Sequence, residues 1–444
     1  MAPNDFNEVH CDVYQTDTTS TPGPGHKDRC FTRDFLINPP TVGSGVLAFE
    51  AQDRLVYSRT RLNITAGPAI PLGTDLMLLD PKNLTVLDSV TLPGQGIYFY
   101  IDNLNRVVTS SSNVIQIYAI NGNSYNLAQT YSLAAVVGVG DAVTSALPDN
   151  VGNIWFASTL GDVGYVIPSS GTIFSTTLVA SGGNANERIL KSIALDETGG
   201  AYIVSNFALY RFSIDPITSN PVVIWRTVYD RGTRIKSGQV FQGSGTTPTC
   251  FNDFEGNKFI TIADNADPYM HVNVYYRLTG VLVAQREVFT KFPYANSCYN
   301  SLIAVNRTVI IENNYGNLGI AEGKNAFLTT AGSLTTIPGI ARVDFNPTNN
   351  TSEVVWTNYD ISIPSAISRL STGDGLIYTY AKDKTSWYNA ALDFCDGHIV
   401  NIIRVHPEGD MQGYLANNFF SGVANNRARN LYTPTLGGMV VWKY

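Results

Sequence analysis

Two apolar runs in this chain break off into acid and amide side chains. One reads Ile262-Ala263-Asp264-Asn265 and the other Ile311-Glu312-Asn313-Asn314. If both are strands of one repeating unit, their ends carry carboxylate and amide oxygens at matching heights. Oxygen-rich sets of this kind suit Ca2+, which takes about six to eight carboxylate, amide and water ligands. The expected metal set is Asn206, Asp264, Asn265, Glu312 and Asn313. A metal-free alternative is acid–base work on a sugar, with His271 or His406 passing the proton, since histidine titrates near neutrality. Arg188 or Lys191 would then neutralise a substrate carboxylate. Tyr315 and Trp387 would offer stacking faces, and Asp141 and Asn314 polar contacts. A lyase on a uronic acid needs that set. The competing account is structural, because Asn and Asp commonly cap strand ends and loops through backbone hydrogen bonds.

Other templates are absent. The sequence has no G-x-S-x-G elbow, H-E-x-x-H, paired C-x-x-C or P-loop. Gly243-Ser244-Gly245 is read as opening a strand rather than a helix, so it is no phosphate cradle. His10 and His26 fall in an N-terminal extension, and His398 falls in a turn on the opposite face from the candidate site.

These residues must be positioned by something, and the sequence repeats. Ala146-Leu147-Pro148-Asp149-Asn150-Val151-Gly152-Asn153-Ile154-Trp155 and Ile193-Ala194-Leu195-Asp196-Glu197-Thr198-Gly199-Gly200-Ala201-Tyr202 share one grammar. An apolar strand leads into an Asp/Asn-Gly turn, and the next strand opens on an aromatic. Asp253 and Asp374 stand in similar turns, and all four acids are assigned to turn structure. Taking Val56, Val107, Trp155, Tyr202, Phe259, Ile310, Ile377 and Tyr432 as markers gives eight units roughly 45 to 70 residues apart. Hardly any stretch has helical period. The fold expected is all-β, a single β-propeller of about eight four-stranded blades, with seven as the alternative count. Residues 41–444 form the propeller. Phe35-Leu36-Ile37 is expected to close the ring by completing the last blade.

Composition narrows the partners. Of the 444 residues, 15% are charged, below the roughly 25% usual in soluble proteins, and 11% are aromatic. A net charge of −7 without a Lys/Arg cluster excludes nucleic acid. No apolar run is long enough to span a bilayer. The chain is expected to be exported and monomeric, with Met1 standing in place of a removed signal peptide. Sequons at Asn63, Asn83, Asn306, Asn349 and Asn350 fit a glycoprotein. In the extension, residues 1–40, Cys11 and Cys30 bracket a Pro/Gly/Thr-rich stretch that a disulfide would staple.

Several phrases carry a resemblance: Gly243-Ser244-Gly245-Thr246-Thr247-Pro248-Thr249, Ala263-Asp264-Asn265-Ala266-Asp267-Pro268, Glu312-Asn313-Asn314-Tyr315-Gly316, Ser145-Ala146-Leu147-Pro148-Asp149 and Trp387-Tyr388. Together they resemble a largely uncharacterised bacterial and fungal family of quinoprotein-like propellers. The resemblance implies the fold and no established activity. In architecture the chain is also similar to lactonase-type and sugar-cleaving propellers, where a Glu/Asn/Asp set polarises a carbonyl. Quinone-dependent dehydrogenation is disfavoured, because no two cysteines are adjacent here. The expected activity is a hydrolase or lyase reaction on a small ester, lactone or glycoside at the channel mouth, the substrate being a small molecule or oligosaccharide. The alternatives are a uronate lyase or a non-catalytic glycan- or protein-binding propeller.

Overall fold

Three of the hairpins between the first two strands of a unit are each built around one aspartate. Asp149 accepts the N–H groups of Val151 and Asn153 at 3.0 and 2.9 Å, and Asp196 those of Thr198 and Gly200, both at 2.8 Å. Asp253 does the same for Glu255 and Asn257 at 3.0 and 2.9 Å. These bonds tighten turns whose glycines, Gly152, Gly199 and Gly256, have φ of 93°, 80° and 83°, where a Cβ is penalised. The second carboxylate oxygen reaches the aromatic that opens the following strand. Trp155 Nε1 donates to Asp149 at 3.2 Å and the Tyr202 hydroxyl to Asp196 at 2.7 Å. Phe259 has no polar handle, so Asp253 takes the Asn257 amide and Arg307 instead. The turn acids are therefore structural.

The computed structural model describes residues 7–25, 31–32, 42–63, 70–317, 336–383, 386–407, 416–418 and 421–444. It is an eight-bladed β-propeller, and none of the described residues is helical. Blades 1 to 8 span 42–91, 99–132, 143–177, 194–228, 249–287, 303–358, 369–407 and 424–442. Each is an antiparallel meander running from the channel outwards. Every marker residue lies in the second strand of its blade, and those strands carry much of the core: Val56, Trp155, Tyr202, Phe259, Ile377 and Tyr432 are all fully buried.

Blade 8 takes its outermost strand from the other end of the chain. Phe31–Thr32 runs antiparallel to Gly438–Trp442, with Phe31 opposite Trp442 and Thr32 opposite Val441. Ring closure thus falls to a segment slightly earlier than Phe35-Leu36-Ile37, which lies outside the described residues.

The stretch 7–19 runs inside the ring. Inner-strand N–H groups of Ile101, Leu195, Cys250, Ala304 and Leu370 donate to the carbonyls of Asn7, Val13, Tyr14, Thr16 and Asp17, at 2.7 to 3.1 Å. Thr18–Thr19 then adds a parallel fifth strand to blade 7, beside Arg369–Ser371. An inner strand is a sheet edge with unpaired backbone groups, and this strap pairs such groups in blades 2, 4, 5, 6 and 7. Its underside meets the hairpin face, where the Tyr14 hydroxyl donates to Glu197. Its upper side meets the loop face, where His10 and Asp17 reach Thr247 and Ser301. The strap is the floor of the channel.

Cys11 corrects the expected staple. Its thiol is free and buried, packed among Leu47, Phe49, Leu55 and Tyr432. Backbone pairing to the inner strands holds this stretch in place of a disulfide, and Cys30 lies outside the described residues.

Candidate functional site at the channel mouth

The loops over blades 4 to 6 are laced together by the acids and amides singled out in the sequence. One oxygen of Asp264 accepts the N–H groups of Ala266 and His271 at 3.0 and 2.8 Å. The other meets His271 Nδ1 at 2.7 Å and the Asn273 amide at 3.1 Å. Asn265 donates to the carbonyls of Gly243 and Cys298 and accepts the Cys298 N–H. Glu312 accepts from Ser368 N–H and from the amides of Asn300 and Asn314. Asn313 accepts the N–H groups of Ser297 and Tyr315, while Asn314 joins Tyr299 N–H to the Ile363 carbonyl. Asn206 caps Arg188 N–H at 2.7 Å. Backbones approach closely here. Gly238 has φ 100°, and a Cβ on it would lie 2.7 Å from the Asn314 carbonyl oxygen.

A cation held by the five expected ligands would share lone pairs that these donors already use. Among the described residues, no three His, Cys, Asp or Glu side chains gather as a metal set. Burial pushes the Glu312 carboxyl up to about 7 in spite of its donors. Burial acts against a charged His271, but its bond to the Asp264 carboxylate outweighs that and raises its pKa.

The structure brings Asp264, Asn265 and His271 together in one loop, and Glu312, Asn313, Asn314 and the half-buried Tyr315 in the next. Arg188 is half-buried beside Asn206, its guanidinium on the carbonyls of Ala185 and Glu187. The remaining residues stand elsewhere. Asp141 caps Ala142 and Leu160 at the edge of blade 3. Trp387 is 1% exposed and stacks on Tyr380 inside blade 7 at 5.5 Å between ring centres, so it is core and offers no face to a sugar. His406 falls in the outer strand Ile399–Pro407, opposite Trp387, rather than in a connection, and its side chain is outside the described set.

Inside the mouth stand Lys191, from the expected set, and groups of the strap that the sequence reading left out. Lys191 precedes the inner strand of blade 4, and its Nζ donates to the Tyr299 carbonyl at 2.7 Å while lying 3.8 Å from the centre of that ring. Burial pulls the amine down to about 7. Below it, His10 stacks against the half-buried Tyr98, with ring centres 6.2 Å apart. His10 Nδ1 lies 3.1 and 3.2 Å from the two oxygens of Asp17, and its Nε2 lies 3.4 Å from the Thr247 hydroxyl. The Ser301 hydroxyl donates to Asp17 from the other side. His10 was set aside and Asp17 missed because both precede the repeats. The one available signal was the alternation Val9-His10-Cys11-Asp12-Val13, which reads as a strand needing a partner.

Comparison with known proteins bears on the fold. No family model matches the chain. An uncharacterised protein of Archaeoglobus fulgidus is 26% identical over 362 residues, covering 74% of this chain and 68% of that one. Quinohemoprotein alcohol dehydrogenase from Comamonas testosteroni matches 99% of this chain and 78% of its own, with a TM-score of 0.64 at 9% identity. The enzyme ADHIIG of Pseudomonas putida HK5 gives 0.61 at 9% identity, over 99% and 77%. The C-terminal WD40 domain of Sif2 gives 0.54 at 11% identity, over 93% and 99%. At such identities the likeness is one of fold, and at that level it agrees with the quinoprotein-like resemblance.

Proposed function

We propose that the protein is an enzyme of the hydrolase or lyase kind, acting on a small ester, lactone or glycoside that enters the channel mouth over blades 4 to 6. The observation that supports this reading is Lys191. The strap closes one end of the channel, and the other end presents an amine held over an aromatic ring in a partly desolvated site. A ligand carboxylate would favour the charged amine. Affinity for an anionic ligand should therefore be full below pH 7 and fall as the pH rises through about 7. The test is a thermal-shift panel of small carboxylated esters, lactones and uronates against wild type and Lys191→Met. Stabilisation by at least one compound that Lys191→Met loses about tenfold in affinity is expected, and equal stabilisation of both proteins would refute the reading.

Export and glycosylation belong to the same proposal. Asn83, Asn349 and Asn350 sit on exposed turns open to a glycan, whereas the Asn306 side chain caps Phe254 N–H. A Ca2+ with Asp264 and Glu312 as its charged ligands is part of the same proposal, and metal analysis of protein purified without chelator tests it. A binding module is the second reading, favoured by the rigid lacing of the mouth loops. It would show the same thermal shift without turnover of any stabilising compound.

A further inference from the structure

We propose that Thr247, His10 and Asp17 form an acyl-transfer centre at the floor of the channel, which makes the substrate class a small acyl ester. This rests on the reading of the mouth as a ligand site. The three side chains are in the order that nucleophilic catalysis requires: a hydroxyl at one imidazole nitrogen and a carboxylate at the other. Thr247 Oγ1 is 3.4 Å from His10 Nε2, somewhat longer than a working hydrogen bond, as is common before substrate binds. His10 Nδ1 faces Asp17 at 3.1 Å, which fixes the tautomer that leaves Nε2 free to accept a proton. Ser301 holds the carboxylate from its far side. Thr247 is 1%, His10 1% and Asp17 0% exposed, so the dry surroundings strengthen the attraction of the Asp17 carboxylate for the imidazolium that forms. Tyr98 stacks on His10 and shares a hydrogen bond with Thr247, so it walls the three side chains on that side.

In the reaction, Thr247 Oγ1 bonds to the ester carbonyl carbon as its proton passes to His10 Nε2. The tetrahedral adduct collapses with cleavage of the C–O bond to the alcohol, which leaves with the proton from Nε2. Water then adds to the Thr247 ester, giving its proton to Nε2, and the acid departs as Thr247 recovers a proton. No oxidant or metal enters the balance. The strap is thus a functional part of the site as well as a structural one.

The test uses the full chain with a fluorophosphonate probe and with 4-nitrophenyl acetate. The expected result is one covalent adduct on the peptide containing Thr247 and a nitrophenol burst close to one equivalent. Thr247→Val should lose both, Thr247→Ser should keep both, and His10→Gln should slow labelling about a hundredfold or more. Absence of an adduct in wild type, an adduct elsewhere, or labelling unchanged in Thr247→Val overturns the proposal. The two readings separate cleanly. A failure confined to acyl transfer leaves the Lys191-dependent thermal shift intact in Thr247→Val, whereas failure of the ligand site removes that shift from wild type.

Discussion

A carboxyl buried at the end of a strand binds its proton more tightly in the folded chain than in the unfolded one. Glu312, held up to about 7 by burial, is such a group. Its contribution is full below the usual carboxylate range and is lost as the pH rises through about 7. The shift corresponds to something on the order of 3 kcal/mol. Glu312→Gln cannot ionise and should flatten this slope. Between pH 5 and pH 8 the wild-type melting temperature should therefore fall further than that of the variant, and parallel curves would place the titration elsewhere. The sequence showed that Glu312 ends an apolar run. It could not show that Ser368 and Asn300 would join Asn314 on the same carboxylate, because Asn300 comes from the loop before the inner strand of blade 6 and Ser368 from the entry to blade 7. Trp387 taught the opposite lesson. An aromatic beside polar residues reads as a stacking face until its burial is known.

At the scale of the element, the strap 7–19 decides whether the inner strands keep unpaired edges. Deleting residues 1–25 would strip hydrogen-bond acceptors from Ile101, Leu195, Cys250, Ala304 and Leu370, each such bond being worth about 0.5–1.5 kcal/mol net. A loss of several kcal/mol and faster proteolysis at the channel rim are expected, measured by denaturant melts and timed digestion. Unchanged stability would mean that water replaces the strap at no cost. The blades themselves were legible because each is written locally, as in Asp149 with Gly152 and Trp155, all within one short hairpin. The strap was illegible for the opposite reason. Its partners are spread over the whole chain, and its own stretch carries no turn signal or repeat, so it read as an extension needing a disulfide.

The propeller is a ring whose eighth blade is completed by Phe31–Thr32. Ending the chain at Leu436 would remove Gly438–Trp442, the strand that Phe31–Thr32 pairs with, and leave blade 8 open. Such a truncation should replace one cooperative melting transition by a broadened or split one, followed by calorimetry, and a single unshifted transition would show that closure adds nothing. The eightfold architecture was legible from the markers, and so was completion of the last blade by an early segment, but which segment was not, since a two-residue strand has no pattern of its own. That closure also sets an order of events during synthesis. Asn425 donates to the carbonyl of Thr21 across 404 residues of sequence. The stretch 7–25, made before any blade, therefore has no completed docking place until blades 7 and 8 have been made. Until then the nascent chain carries an unsatisfied leading segment and an open ring together. A chain cut short within blade 8 would keep both defects, so an intact blade 8 is a condition for the floor of the channel to be fully seated.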